Sequence, residues 1–452
     1  MKGGFLLIFA IATVAMAAPK TAPRAAADLF PEAENLRREA AALGQKRWRP
    51  MLRYVADLHV RSTHAAIQPF EFPWEEIGPG YTPAFGHWDI IHQILDVLPT
   101  APRHAHEQLL NDVRLQLADG FLPGSVWMPG SYHAKRHDNH PWFNTSSQSH
   151  PPVWVVAADD YMTLTGDRTE LREFFQRVTK QIGWFEANRA AEGGGFYYTD
   201  ISLHLWESGI DEGVRFDNAP RQKLACVDAT SHVYQLCDLA ARWAERLGED
   251  AKPWRDKADR LRDFIRAKMW AEDDGFFYDV WAREDRRLRT EAFEGIWPVI
   301  VGAADRPMAM RVIDEWILNP QRFFSRHPIA TVGVSDPKFE LRLWRGPAWN
   351  SMTYWAARAC VRYNRPDAAV RLLEAALDDS AEQFARTGTI WEFYHPQGGF
   401  PEKLERKPAS KADHNPPCHD YLGHNPLLAM ARLWQQLTVT SSGGAKLAGA
   451  TH

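Results

Sequence analysis

Cysteine is scarce, with four in 452 residues. That scarcity excludes a disulfide-stapled scaffold, which needs cysteine pairs at high density. Cys226 and Cys237, on one helix, would stand about 16 Å apart by helical rise and cannot bridge. Long apolar runs are missing as well: beyond the first residues, no stretch reaches the roughly 18 to 20 unbroken apolar positions of a membrane-spanning helix. Charge of one sign is not in excess, since 53 Lys and Arg face 57 Asp and Glu for a net charge of −4. Without a dense basic block there is no electrostatic footprint for nucleic acid or an anionic membrane. A neutral small molecule is the better-matched partner. No Gly-x-Ser-x-Gly elbow between a strand and a helix supports a Ser-His-Asp nucleophile.

What is present begins with Lys2, an apolar stretch over 5–15 and the small-residue pattern Ala15-Met16-Ala17. Together they predict a cleaved signal peptide over 1–18, and hence an exported chain, periplasmic or secreted. Tryptophan is abundant, with 19 copies. Several fall between apolar helix stripes, at Trp74, Trp127, Trp142, Trp206, Trp344 and Trp391, where ligand stacking is one use for them. Helical period and capping signals predict helices over 32–58, 88–98, 104–117, 151–165, 168–189, 226–247, 252–270, 293–301, 307–318, 350–363, 367–386 and 426–437. Pro151 and Pro426 read as helix starts.

After the first helix, short connections (99–103, 166–167, 248–251, 364–366) alternate with long ones (61–87, 118–150, 190–225, 271–292, 319–349, 387–425). Short links join antiparallel neighbours. The pattern is that of an all-α chain of helical hairpins, closed by the first helix pairing with the last. This is an (α/α)6 toroid, a single domain over 19–437 followed by a Ser/Gly/Ala-rich tail at 438–452 expected to be disordered. In a closed ring every long loop enters an inner helix on the same side, so the loops line one mouth.

Those loops carry Phe85-Gly86-His87-Trp88-Asp89, Gln148-Ser149-His150, Trp344-Arg345-Gly346-Pro347-Ala348-Trp349-Asn350 and Trp391-Glu392-Phe393-Tyr394. Residues 206–217 are the densest, placing four carboxylates, an arginine and two aromatics around a pair of glycines. One protonated carboxylic acid, a second carboxylate and flat apolar walls are what cleavage of a sugar bond requires. The alternative is a loop whose acids are only solvated. Asp413, His414, Cys418, His419, Asp420 and His424 are residue types that zinc uses, but their spacing matches no strong signature. No metal or other cofactor is expected. The segment reads as a loop in which His424 and Asn425 close the mouth and touch sugar.

These motifs resemble glycoside hydrolase family 63 and its trehalase-like relatives, most closely the mannosylglycerate-hydrolase-like branch, over residues 73–437. The resemblance implies an (α/α)6 barrel and an inverting enzyme for α-linked glucosides or mannosides. It puts the general acid on Asp211, within Trp206-Glu207-Ser208-Gly209-Ile210-Asp211, and the general base on Glu392. Trp344-Arg345-Gly346-Pro347 is similar to the family's motif before an inner helix.

An acid at Asp211 must keep its proton near neutral pH, and Trp206 and Glu207 are the neighbours expected to arrange that. Trp88 would stack on the sugar and Asp89 would accept two hydroxyl hydrogen bonds, unless Asp89 only complements its helix dipole. Gln148, Trp206, Glu207, Arg345, Gly346, Trp349, Trp391, Tyr394 and His424 complete the expected substrate site. Gln148 either contacts sugar or braces its loop. Arg345 either holds a substrate carboxylate such as glycerate or braces Glu207 or Asp211. The expectation is an exported glycosidase for mannosylglycerate, glucosylglycerate or an α-disaccharide. A sugar 2-epimerase using His204, His327 and His424 is one alternative, and a sugar-binding protein without turnover is another.

Overall fold

The computed structural model describes residues 29–129, 131, 145–203, 206–217, 219, 222–281, 284, 286–407 and 414–442. The expected leader at 1–18, Trp142, His204, Asp413 and the end of the tail lie outside the described residues. The helices are α1 (Ala33–Ala42), α2 (Arg49–Arg61), α3 (His87–Val97), α4 (Pro102–Val113), α5 (Trp154–Thr165), α6 (Leu171–Asn188) and α7 (Val227–Leu247). They continue with α8 (Lys252–Phe264), α9 (Trp297–Ile300), α10 (Arg306–Arg311), α11 (Asn350–Arg362), α12 (Pro366–Thr387) and α13 (Leu427–Ser442), and one further single-turn helix, Asp200–Leu203, lies in the loop before α7. From α3 onward the odd-numbered helices form the inner ring. Each packs on the next, and α13 closes the ring against α3. The even-numbered helices stand outside, and α2 seals the seam by packing on both α12 and α13. This is the (α/α)6 toroid the loop lengths predict.

Helix α7 illustrates how the sequence builds the ring. Val233, Leu236, Cys237, Ala240 and Ala244 repeat at three and four and are all buried. Gly248 ends the helix at φ +71, a left-handed conformation that glycine adopts without strain. In α10, the side chain of Asp305 accepts from the Met308 backbone N–H and caps the first turn. Both α8 and α10 run on into π-helical turns, Ile265–Met269 and Val312–Ile317, which accounts for the longer helices expected there.

Three expectations need correction. The single helix over 32–58 is two helices, because Leu43 turns extended and Gly44 takes φ +59 with its backbone against the Trp48 ring. The apolar period continues through both halves, so pattern alone does not reveal the corner. Residues 438–442, expected to belong to the tail, are the last turn of α13, which reaches Ser442. Pro151 lies in the loop before α5, whereas Pro426 does directly precede α13.

The middle of the barrel is filled by rings from inner helices. Trp88 and His92 of α3, His232 of α7, Trp297 of α9 and Trp355 of α11 contact one another, with centroid separations from 4.2 Å (His232 to Trp297) to 6.1 Å. Each buried Trp removes roughly 150–250 Å² from water, worth about 4–6 kcal/mol of transfer free energy at most. This layer is a floor. Trp88 faces a cavity on the long-loop side, and Trp355 faces a different one on the opposite side.

Candidate active site

The cavity on the long-loop side has a volume of about 100 Å³ and draws its lining from nearly every long loop. Trp88, Asp89, His150, Trp206, Asp211, Trp344, Trp349, Glu392, Arg406, Lys407, Tyr421 and His424 all face it.

Asp89 sits in the first turn of α3, delivered by the short strand Ala84–Gly86 that pairs antiparallel with Ser125–Trp127. Two glycines clamp it: a Cβ on Gly86 would lie 2.4 Å from Oδ2, and one on Gly423 would lie 2.3 Å from Oδ1. The Tyr421 hydroxyl donates to Oδ1 at 2.7 Å. Burial pushes the Asp89 carboxyl up to about 6, against the pull of that hydrogen bond and with the help of the negative charges of Glu392 and Asp211. Three carboxylates therefore share one electrostatic neighbourhood.

Asp211 projects from a loop anchored beneath it. Glu207, fully buried, accepts from Arg189 at 2.8 and 2.7 Å, from the Thr199 N–H at 2.8 Å and from the Ser149 hydroxyl at 3.0 Å. Ser208 bonds Asp200 through both its N–H and its hydroxyl. Gly209, at φ +72, brings the backbone against the Trp88 ring edge. Asp211 Oδ2 then meets the Lys407 ammonium at 2.5 Å. Burial pushes the Lys407 amine down, and the Asp211 charge outweighs it, so the amine stays above its ordinary value.

Glu392 stands on the segment that bridges to both neighbours, Trp391 to His419 and Tyr394 to Ala348. Its Oε2 accepts from the Cys418 N–H at 3.1 Å, and Arg406 Nε reaches its two oxygens at 3.0 and 2.7 Å. Burial works against the Arg406 charge, yet the Glu392 carboxylate keeps that guanidinium strongly cationic.

The walls are aromatic and neutral. Trp344 and Trp349 stack with centroids 3.6 Å apart and planes 2° from parallel. His424 shares a hydrogen bond with Ser351 at 2.7 Å, and burial holds it well below the ordinary histidine value. Burial likewise pushes His150 down to about 4, and neither of its ring nitrogens has a hydrogen-bond partner among the described residues. The Trp88 indole N–H is also without a partner among the described residues. Orphaned polar atoms facing a cavity are placed to meet a ligand's hydroxyls.

Six of the expected substrate residues do not line this cavity. Glu207 is committed to Arg189, so it does not tune Asp211 or reach a ligand. Gln148 braces its loop, its Oε1 accepting from the Trp206 N–H at 3.3 Å. Arg345 pairs with Asp217 at 2.6 Å and Glu340 at 2.8 Å in a separate depression, bracing neither Glu207 nor Asp211. Gly346 is a packing glycine, since a Cβ there would lie 2.4 Å from the Glu340 carbonyl oxygen. Trp391 donates to Thr387, and Tyr394 stacks on His327 at 4.5 Å. His327 itself is buried between Asp379 and Asn350, away from the cavity.

Arg215 is scaffold, forming buried ion pairs with Asp228, Asp279 and Glu294. Cys226, Asp228 and Asp279 cluster closely enough to hold a cation, but the guanidinium already occupies those carboxylates. In the histidine-rich segment, His414 bonds Glu405 and His419 bonds Asp420, so its described members face different partners.

Sequence reasoning missed Arg406, Lys407, Tyr421, Tyr81 and His150 as lining residues. The adjacent Arg406 and Lys407 in the last long loop were the available signal. The larger cavity at the other mouth, about 690 Å³, has Asp160 paired with Arg358 and Asp159 with Arg246. Among the described residues it offers no comparable set of convergent carboxylates.

The loop-side arrangement can divide labour between a proton donor and a water-activating base across an aromatic trough. Residues 82–412 match the family model for the mannosylglycerate hydrolase MGH1-like glycoside hydrolase domain. A Borreliella burgdorferi protein is 21% identical over 255 residues, covering 54% of this chain, and the match spans only about half (51%) of that relative. The mannosylglycerate hydrolase of Rubrobacter radiotolerans is 20% identical over 396 residues, 72% of this chain and 88% of that one. The family 63 mannosylglycerate hydrolase of Thermus thermophilus, solved with Tris and D-glycerate, superposes with a TM-score of 0.66 at 19% identity, over 84% of this chain and 98% of that one. The likeness in structure establishes the toroid, and the match to the family model establishes the chemistry class: this chain belongs to the mannosylglycerate hydrolase MGH1-like glycoside hydrolases.

Proposed function

We propose that the protein is an inverting α-glycosidase for small α-glucosides or α-mannosides, with Asp211 as general acid and Glu392 as general base. The observation that carries this reading is the meeting of these two carboxylates, about 180 positions apart in the chain, on one tryptophan-walled cavity. In the proposed step, Asp211 gives its proton to the glycosidic oxygen as the bond to the anomeric carbon breaks. A water supplies oxygen to that carbon from the opposite face and its proton to Glu392. One water is consumed and the configuration inverts.

Asp89 would accept hydroxyls of the terminal sugar, while His150 and the Trp88 N–H would supply the hydrogen bonds they now lack. The names of the Rubrobacter and Thermus relatives favour a glycosyl glycerate over a disaccharide. The leader read at 1–18 adds a periplasmic or secreted location, which N-terminal sequencing of the mature chain checks. The test of function is hydrolysis of mannosylglycerate, glucosylglycerate and α-disaccharides followed by NMR. The β-anomer should appear first, and Asp211→Asn and Glu392→Gln should each lower turnover at least about 100-fold. Undiminished hydrolysis by either variant sinks the assignment, and initial release of the α-anomer sinks inversion.

A further inference from the structure

The larger cavity, about 690 Å³, opens at the mouth opposite the long loops, and its wall comes only from the inner helices α5, α7, α9, α11 and α13. That volume is within the roughly 300–1,000 Å³ of small-molecule sites. Gln235, Leu239 and Arg242 recur at four and three along α7, and Tyr354, Arg358 and Arg362 recur at four along α11, so each set shares the helix face that lines the cavity. Its acids are already engaged. Asp160 holds Arg358 at 2.6 and 3.1 Å, and Asp159 accepts from the Trp243 indole and from Arg246, both at 2.9 Å. A cation entering here meets carboxylates whose charge is already balanced.

The donors are in a different position. Three arginines line the cavity against two aspartates, and Arg362, the last residue of α11, makes no hydrogen bond or ion pair to the described residues. Gly302 packs against it, a Cβ there standing 3.0 Å from Nη1. Desolvation pushes the Arg362 guanidinium below its ordinary value, and the charges of Arg358 and Arg242 add to that. Gln235, only 8% exposed, has a side-chain amide without a hydrogen bond to the described residues, and Arg242 Nε is buried without one. Unpaired donors beside a surplus cation are costly to bury unless an acceptor arrives. The remaining wall is apolar. Leu239, Ile300 and Val361 line it, and Trp355 offers only its ring, because its N–H is donated to His92 at 3.0 Å.

We propose that this opposite mouth is a second ligand site, which takes a small organic oxyanion: its carboxylate or phosphate on Arg362, with Gln235 as a further donor, and its apolar body against Leu239, Ile300 and the Trp355 ring. A guanidinium with all its donors to spare matches either headgroup. The anion supplies the charge that the three arginines lack and the acceptor that the amide lacks. A neutral molecule of the same shape gains only the apolar wall. The site is independent of the catalytic reading, since the ring layer of Trp88, Trp297 and Trp355 lies between the two cavities.

The test is titration calorimetry on the full chain with phenyl phosphate, benzoate and the neutral benzyl alcohol. At least one of the two anions should bind one to a chain, at least about 10-fold more tightly than the alcohol, the worth of one charge-assisted hydrogen bond. Binding by benzoate alone marks a carboxylate site and by phenyl phosphate alone a phosphate site; either carries the proposal. Arg362→Met should weaken the anion by at least about 10-fold. Without ligand its thermal midpoint should equal or exceed that of the wild type, because no partner is stranded and a repulsion is relieved. Lys407→Met, in the loop-side cavity, should bind the anion as the wild type does. Benzyl alcohol binding as tightly as both anions overturns the proposal, and so does wild-type affinity in Arg362→Met. A lowered midpoint in Arg362→Met makes the arginine a structural brace, and loss of binding in Lys407→Met moves the anion to the other cavity; each overturns it as well.

Discussion

Replacing Tyr421 with Phe removes one hydroxyl from the cavity wall and leaves the ring in place. That hydroxyl donates to Asp89 Oδ1 at 2.7 Å and is the main influence opposing burial, which even against it pushes the Asp89 carboxyl up to about 6. A hydrogen bond to a charged acceptor is worth about 1.5–3 kcal/mol, or about 1–2 pKa units at 1.36 kcal/mol per unit. The other nearby donor, His424 Nε2, is 3.6 Å from Oδ1 and can recover part of the loss. The net expectation is a rise of about one unit.

If Asp89 binds sugar hydroxyls as the carboxylate, kcat/KM falls as pH drops through its pKa, and Tyr421→Phe moves that limb upward. At pH 6 the ionised fraction falls from about one half to about one tenth, so activity should drop roughly fivefold. Near pH 8 the two enzymes should differ by no more than about 10%. The assay is kcat/KM against pH on the best α-glycoside. A limb that stays put refutes the assignment to Asp89. A loss of equal size at every pH means that the hydroxyl binds sugar and does not tune the carboxylate.

Glu207→Gln should leave the Arg189 guanidinium with a weakened partner and cost about 3 kcal/mol in urea unfolding, in keeping with a broken buried ion pair. A change below about 1 kcal/mol would contradict the anchoring role of Glu207. Gly346→Ala should destabilise by about 1–3 kcal/mol, because its Cβ would collide with the Glu340 carbonyl oxygen. An unchanged thermal midpoint would show that the loop yields freely. In the buried network of His59, Glu75, His104 and Asp96, burial pushes Glu75 up, but the charge of His59 and hydrogen bonds from His104 and His59 hold it at about 2. Its stabilisation is present above pH 4.5 and is lost as pH falls toward 2. Burial pushes His59 down, and its two carboxylate partners raise it to about 10, so its contribution is full below pH 6.5 and is lost as pH rises toward 10. His59→Asn should flatten both limbs of the thermal midpoint against pH, and identical profiles would refute the coupling.

Helix positions and the alternation of short and long links were legible because a buried helical face obeys a local period. Val233, Leu236 and Ala240 announce α7 without any knowledge of its neighbours. Ring closure followed from the same pattern, since antiparallel hairpins with long loops on one side have few other ways to bury their apolar faces. The break at Gly44 escaped because period alone does not register a corner that keeps the apolar face in phase.

The loops were a different matter. Loop composition together with the family resemblance picked out Asp89, Asp211, Glu392, Trp88, Trp206, Trp349 and His424, all of which line the cavity. Composition equally favoured Glu207, Arg345 and Tyr394, which face Arg189, Asp217 and His327 instead. A carboxylate or a guanidinium has the same chemistry whether it braces a loop or meets a ligand. What separates the two is the partner each finds across the fold, and no local pattern encodes that.

The sequence by itself determined the ring of helices and which mouth carries the long loops, because periodic burial and loop length are local properties. Only the tertiary structure decided which loop charges reach the cavity. It also placed Arg406 and Lys407 against Glu392 and Asp211, since that contact is made between segments 14 and 196 positions apart.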